Sequence, residues 1–243
     1  MKPRISLIIP AYNEERYIGK CLESVEKAKR FYGKPSLIET IVVDNGSTDR
    51  TAMVARQYDT KIIFEGKRQI AMARNKGASV ARGDLVGFLD ADCIITPNMF
   101  VLIDETMASG KYIGGGTEIK VDRNSLGIFC TLCITKYPFI WLLGISGGLL
   151  FTEKSTFDEI GGFDTSLYSA EDAKFALVLK KHGKKRGKKF KVLIDAYVVT
   201  SARSFDMFGD WYYFRNLPRF MKNPRKATRG REFSDKFWYD VDR

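Results

Sequence analysis

ISLIIPAYNEE, residues 5–15, is a near-continuous apolar run that stops abruptly at a polar, acidic loop. The run at 5–10 lacks the apolar–polar alternation of a half-exposed strand. It reads as a strand buried on both faces, and such strands belong to parallel sheets covered by helices. Working outward, the same pattern returns. Residues 15–31 carry apolar positions at helical spacing through Ile18, Leu22 and Val25, and TIVV at 40–43 is a second buried strand ending in Asp44-Asn45-Gly46. Ser47 or Thr48 is placed to cap the next helix, with Asp49 in its first turn where the macrodipole favours an anion. A strand over 61–65, a helix over 70–81 stopped near Gly83, and LVGFL at 85–89 continue the alternation. This order predicts an α/β fold with a mostly parallel, doubly wound sheet flanked by helices.

Beyond Asp92 the pattern loosens into a mixed half. Thr96-Pro97 reads as an N-cap with proline at the first helical position, and Gly110 as a stop. Residues 112–121 read as a strand through three consecutive glycines, 126–143 as an apolar helix, 148–152 as a strand, 169–181 as a helix and 190–200 as a strand.

Composition narrows the function classes. With 243 residues and 44% hydrophobic content the chain has enough material for a real core. Four cysteines and one histidine exclude a disulfide scaffold, an array of zinc fingers and a histidine-rich metal site. Cys130 and Cys133 form a lone C-x-x-C, read as packed, reduced thiols. No signal-peptide pattern opens the sequence, so a cytoplasmic protein is expected. Lys136 and Pro138 interrupt the one long apolar stretch, leaving it too short to span a bilayer. The formal charge of +11 admits nucleic acid, an anionic membrane or phosphorylated ligands as partners.

In an open parallel sheet, ligands bind beyond the carboxyl ends of the strands. The first strand delivers Pro10, Ala11, Tyr12, Asn13 and Glu14 to that edge, the second Asp44, Asn45 and Gly46, the fourth Asp90, Ala91 and Asp92. Asp90-Ala91-Asp92, at the end of an apolar strand, suits a divalent cation held against a diphosphate, because magnesium takes one or two carboxylates and completes its shell with phosphate and water. Neither a G-x-x-x-x-G-K-[ST] loop nor a strand-linked G-x-G-x-x-G is present, which disfavours nucleoside triphosphate hydrolysis and dinucleotide redox chemistry.

Taken in order, ISLIIPAYNEE (5–15), IVVDNGSTDRT (41–51), ARNKGASVARGDLVGFLDADC (73–93), SGGLLFTEKSTFDEIGGFD (146–164) and AED (170–172) resemble the segments of the family 2 inverting glycosyltransferases, which have the GT-A fold. The resemblance implies a GT-A domain over 1–203, with a nucleotide-binding half at 1–92, an acceptor and catalytic half at 93–203, and a basic aromatic extension at 204–243. It implies transfer of a sugar from a UDP- or GDP-sugar to an acceptor hydroxyl or phosphate, with Mg2+ or Mn2+ as cofactor. Asp44 would contact the nucleobase, Pro10, Ala11, Tyr12 and Glu14 would line the nucleoside pocket, and Arg74 and Asn75 would lie near the diphosphate. Asp92, assisted by Asp90, would hold the metal, and Asp172 would be the general base. Gly46, Ala91, Gly148 and Glu171 fall in the donor-binding segments. Arg203, after the last strand, is placed to add positive charge at the diphosphate. Glu171-Asp172 also suits a plain helix N-terminus.

Residues 180–191 hold eight Lys or Arg and no acid, and 205–221 are dense in aromatics. Together with the apolar segment 126–143 they raise a peripheral membrane contact and a lipid-linked acceptor, against the alternative of a packed C-terminal helix. Residues 1–92 carry a net +4 and residues 93–243 a net +7. No nucleic acid partner is expected. A nucleotidyltransferase, which would want a basic glycine-rich loop where PAYNEE stands, a non-catalytic sugar-nucleotide sensor and a nucleic-acid-binding module are the alternative classes.

Overall fold

A computed structural model describes residues 1–135, 143–212 and 214–215. The strands are β1 (Ile5–Ala11), β2 (Ile38–Asp44), β3 (Lys61–Phe64), β4 (Leu85–Phe88), β5 (Cys93–Ile95), β6 (Tyr112–Val121), β7 (Leu150–Glu153) and β8 (Lys189–Thr200). The helices are α1 (Ile18–Tyr32), α2 (Thr51–Ala55), α3 (Ile70–Val80), α4 (Met99–Ala108), α5 (Leu126–Thr135), α6 (Lys154–Glu159), α7 (Glu171–Lys185) and α8 (Arg203–Phe208). All eight strands form one sheet in the order β3-β2-β1-β4-β7-β6-β8-β5.

β1 is an interior strand, parallel to β2 on one side and β4 on the other, with Ile5 opposite both Ile38 and Leu85. Every residue of β1 is buried. Its side chains alternate between two cores. Ile5, Leu7 and Ile9 pack with Leu22 and Val25 of α1 and Phe100 of α4, while Ile8 packs with Ala73 of α3 and Phe88 of β4. A strand covered on both faces has no polar side, which is why the sequence there shows no alternation. α3 reaches the sheet closely at Gly77, where a Cβ would overlap Ile8 and stand 3.0 Å from Val43 Cγ2.

The second half of the sheet is mixed. β7 runs antiparallel to both β4 and β6, β6 and β8 are parallel, and β5 pairs antiparallel with the end of β8. The three-residue β5 was not anticipated, since three residues carry no readable period. α2 begins at Thr51, later than expected, and neither Ser47 nor Thr48 caps it. Instead the Asp49 carboxylate accepts from the Thr51 N–H at 2.9 Å and its hydroxyl at 2.5 Å, holding the turn before the helix. α4 begins after Asn98 rather than at Pro97.

The helix expected over 126–143 is present as α5; residues 136–142 lie outside the described residues. Cys133 on α5 is exposed and Cys130 half-buried, so the expected packing of both thiols does not hold. Ile128 and Thr131 are buried on this helix, whereas Leu126, Phe129 and Ile134 are exposed, so only part of its apolar content is covered. No helix among the described residues is long and apolar enough to cross a membrane. In the aromatic tail, Arg123 holds α8 and the turn after it through Asp206 at 2.8 Å and Asp210 at 2.6 Å, and Trp211 and Phe214 are exposed. Residues 213 and 216–243 lie outside the described residues.

Candidate active site

A cleft of about 210 Å³ opens where β1, β4 and β8 end and α7 begins. Pro10, Ala11, Tyr12, Glu14, Arg74, Asp90, Ala91, Asp92, Glu171, Asp172 and Arg203 line it, all named from the sequence. Asn45, Ile70, Tyr168, Ser169, Ala170 and Thr200 complete the lining. Asn45 lies among the strand-end positions read from the sequence. Thr200 ends β8, and extending the strand-end rule to this last strand finds it. Residues 169 and 170, expected inside the helix over 169–181, precede α7, which begins at Glu171. Ala170 there adopts a left-handed conformation with φ of 59°, unusual for a residue with a side chain and costing on the order of 1–3 kcal/mol.

The β1 loop is held by the β2 loop. Ser47 Oγ accepts from the Asn13 N–H at 3.1 Å, Thr51 Oγ1 from the Glu14 N–H at 2.7 Å, and Asp49 from the Glu15 N–H at 3.0 Å. Asn45 is buried and pins residues 65–69, donating to the Glu65 and Lys67 carbonyls and accepting from the Gln69 N–H. Four expected residues lie outside the cleft lining. Asp44 accepts from the Ser47 N–H at 2.9 Å, closing the turn in which Gly46 takes a φ of +83°. Asn75 clasps both backbone groups of Phe163 at 2.9 Å. Gly148 packs on Thr117 of β6, the nearest atoms leaving no room for a Cβ.

Two guanidiniums tie the cleft together. Arg74 donates to Glu171 Oε1 at 2.6 Å and Asp90 Oδ1 at 2.7 Å, lying 5.2 Å from the centroid of the Phe163 ring that Asn75 fixes. Arg203 donates to both oxygens of Glu14 at 2.6 and 2.8 Å and stands 3.1 Å from Asp92 Oδ2. Arg203 therefore joins the first and last strands' loops and is not a plain surface residue. Burial would lower the Arg74 pKa, but Asp90, Glu171 and Asp172 outweigh it and hold the charge. Burial likewise pushes Asp92 up to about 6, against the attraction of Arg203. It also raises Glu171 and Asp172 above the usual carboxylate range, with Arg74 opposing. Both acids stand in the first turn of α7, so the helix-terminus reading and the cleft reading are met by the same residues, and Asp172 Oδ1 accepts from the Ala173 N–H at 2.7 Å.

The donor set fits a hard divalent cation. Asp90 and Asp92 offer carboxylate oxygens to one cleft, and the Asp90 side chain is 46% exposed. No group of three or more His, Cys, Asp or Glu side chains that could hold a metal ion occurs among the described residues; an ion such as magnesium needs only one or two carboxylates when phosphate and water complete its shell. Five carboxyl groups (Glu14, Asp90, Asp92, Glu171 and Asp172) face two guanidiniums, Arg74 and Arg203, in the lining.

Residues 6–125 match the sequence model described as Glycosyl transferase family 2. Over 97 residues, 37% of this chain and 31% of the relative, the sequence is 43% identical to Glycosyltransferase AglE of Haloferax volcanii. The matched stretch spans about 30% of the length of the first curated relatives. Among solved structures, S. aureus TarS 1–349 in complex with UDP-GlcNAc superposes with a TM-score of 0.60 at 22% identity, covering 81% of this chain and 58% of that one. The mannosyltransferase PcManGT from Pyrobaculum calidifontis, in complex with GDP-Man and Mn2+, gives 0.62 at 19% identity, covering 90% and 65%. The fold is that of the GT-A glycosyltransferases.

Proposed function

Residues 6–125 belong to glycosyl transferase family 2, and from that premise we propose that the protein is an inverting, metal-dependent glycosyltransferase using a nucleoside-diphosphate sugar. The observation that carries the reading is one cleft lined by both Asp90-Ala91-Asp92 and Asp172. The UDP-GlcNAc and GDP-Man complexes of the structural neighbours support a UDP- or GDP-sugar as donor. In this reading residues 1–203 are the catalytic unit and 204–243 an extension.

Asp172 removes the proton from the acceptor hydroxyl as that oxygen bonds to the anomeric carbon, and the bond from that carbon to the diphosphate breaks on the opposite face. Asp92 and Asp90 would hold Mg2+ or Mn2+, which when bound offsets the charge gathering on the leaving diphosphate. Arg74 keeps the Asp90 loop and the start of α7 in register, and Arg203 neutralises Glu14 and Asp92 beside it. The test is a thermal-shift screen with UDP-GlcNAc and GDP-mannose, each with and without Mn2+. A ligand at 100 times its dissociation constant stabilises the fold by about 2.7 kcal/mol. No shift with any nucleotide sugar, or shifts indifferent to the metal, would count against the reading.

The acceptor is proposed to be lipid-linked and met at a membrane surface. Support comes from the exposed Leu126, Phe129 and Ile134 of α5, the exposed Trp211 and Phe214, and the basic run 180–191. Sedimentation with anionic liposomes at low and moderate salt tests this part, and absence of binding at both would remove it.

A further inference from the structure

Residues 146–148, Ser-Gly-Gly, are clamped onto β6. Ser146 Oγ donates to the Thr117 carbonyl at 2.6 Å, and the Leu149 N–H donates to Thr117 Oγ1 at 2.9 Å. Glycine at 148 is required by that packing, since any side chain would overlap Thr117. Gly147 is different. Among the described residues other than its two chain neighbours, a Cβ there would meet a single group within 4 Å, the Asp172 carboxyl, with Oδ2 at 2.8 Å and Cγ at 3.7 Å. Its φ lies outside the left-handed region, so what glycine supplies at this position is room. Asp172 Oδ1 is committed to the Ala173 N–H at the start of α7, while Oδ2 accepts no hydrogen bond among the described residues. The oxygen beside Gly147 is thus the one not held by the Ala173 N–H. Asp172 lines the donor cleft and Gly147 does not.

We infer that Gly147 is a positioning residue for the base: its missing side chain leaves Asp172 Oδ2 where it can take the proton of the acceptor hydroxyl. The inference rests on the role proposed above for Asp172. The acceptor's O–H proton passes to Oδ2, the freed electron pair forms the new bond to the anomeric carbon, and the nucleoside diphosphate leaves with the electrons of the old one. A methyl group at 147 pushes the carboxylate off that line without touching the residues that bind the donor.

The experiment compares Gly147→Ala and Asp172→Asn with the unmodified protein in the full chain. Release of UDP from UDP-GlcNAc and of GDP from GDP-mannose is followed in Mn2+, with water as acceptor, alongside donor affinity and melting temperature. Gly147→Ala should lose on the order of tenfold to a hundredfold in kcat, the scale of a small misplacement of a reacting group. Donor KM should stay within about twofold, as expected when an interaction made only in the transition state is lost. The melting temperature should stay within about 2 °C, because the methyl group meets only the end of a side chain among the described residues beyond its chain neighbours. A kcat within about twofold of the unmodified protein, while Asp172→Asn is inactive, overturns the inference alone. So does a melting temperature lowered by more than about 5 °C, which would mean that the methyl group meets other atoms. Turnover that survives in Asp172→Asn, or is absent from the unmodified protein with both donors, overturns the proposed function and this inference with it.

Discussion

Replacing Arg74 by methionine is the sharpest test of how the cleft is held. The Arg74 and Glu171 side chains are each 7% exposed and meet at 2.6 Å, so the pair is screened little by solvent. The second contact, to the half-exposed Asp90, adds less. Removing one partner of a buried pair leaves an uncompensated charge and costs about 3–5 kcal/mol. For a chain of this size that lowers the melting temperature by roughly 6–20 °C. The loss must depend on pH, with a definite sign. Burial already raises the Glu171 pKa above its unfolded value against Arg74's opposition, and losing Arg74 raises it further. A carboxyl with a raised folded pKa contributes stability below the unfolded pKa and loses it as pH rises through the folded one. Arg74→Met should therefore be close to the unmodified protein near pH 5, where Glu171 takes a proton, and fall well below it near pH 8. Adding Glu171→Gln should recover much of the loss at pH 8, since the buried charge is then gone. Thermal melts of the three proteins at both pH values decide it. A deficit equal at the two pH values, or no recovery in the double variant, would refute the reasoning.

Other outcomes follow from the same geometry. Asp172→Asn should abolish turnover with nucleotide binding intact, and in the unmodified protein kcat/KM should fall on the acid side at a pH above the usual aspartate range, because burial raises the Asp172 pKa; a rate–pH profile flat down to pH 4 would contradict this. Gly77→Ala should destabilise the fold by about 1–3 kcal/mol in urea melts, since its methyl group would overlap Ile8 and press on Val43, and a neutral result would mean that α3 can lift off the sheet. Lys174→Met, which removes the partner of Asp164, should change stability by less than about 1 kcal/mol at pH 7, because the pair is open to solvent. The Asp164 pKa is lowered to about 2, first by the Lys174 hydrogen bond, so that small contribution is present above the unfolded pKa and disappears as pH falls toward 2; melts at pH 7 and pH 2.5 check both statements.

The sheet's first half was legible because burial on both faces writes itself into composition. ISLIIP, TIVV and LVGF have no polar side to confuse with a helix, and their ends point to the loops that carry Glu14, Asp90 and Asp92. The second half was less legible for a physical reason. β5 is three residues long, and β8 shifts register against β6 between Thr117 and Glu118, leaving Ile194 exposed within a strand. Short or bulged strands do not sustain a period of two, so periodicity is silent about them.

The sequence by itself determined the parallel first half of the sheet, the residues at its carboxyl edge and the acidic pair that opens α7. These depend on local spacing, which a chain carries in its own order. Only the tertiary structure decided what those residues hold. It put Arg203 on Glu14 across 189 positions and Arg74 on Glu171 across 97. It turned Asn75 onto Phe163, and it set Gly147 against Asp172. Such pairings follow from which strands become neighbours and how closely helices pack on them, and no window of sequence contains both partners.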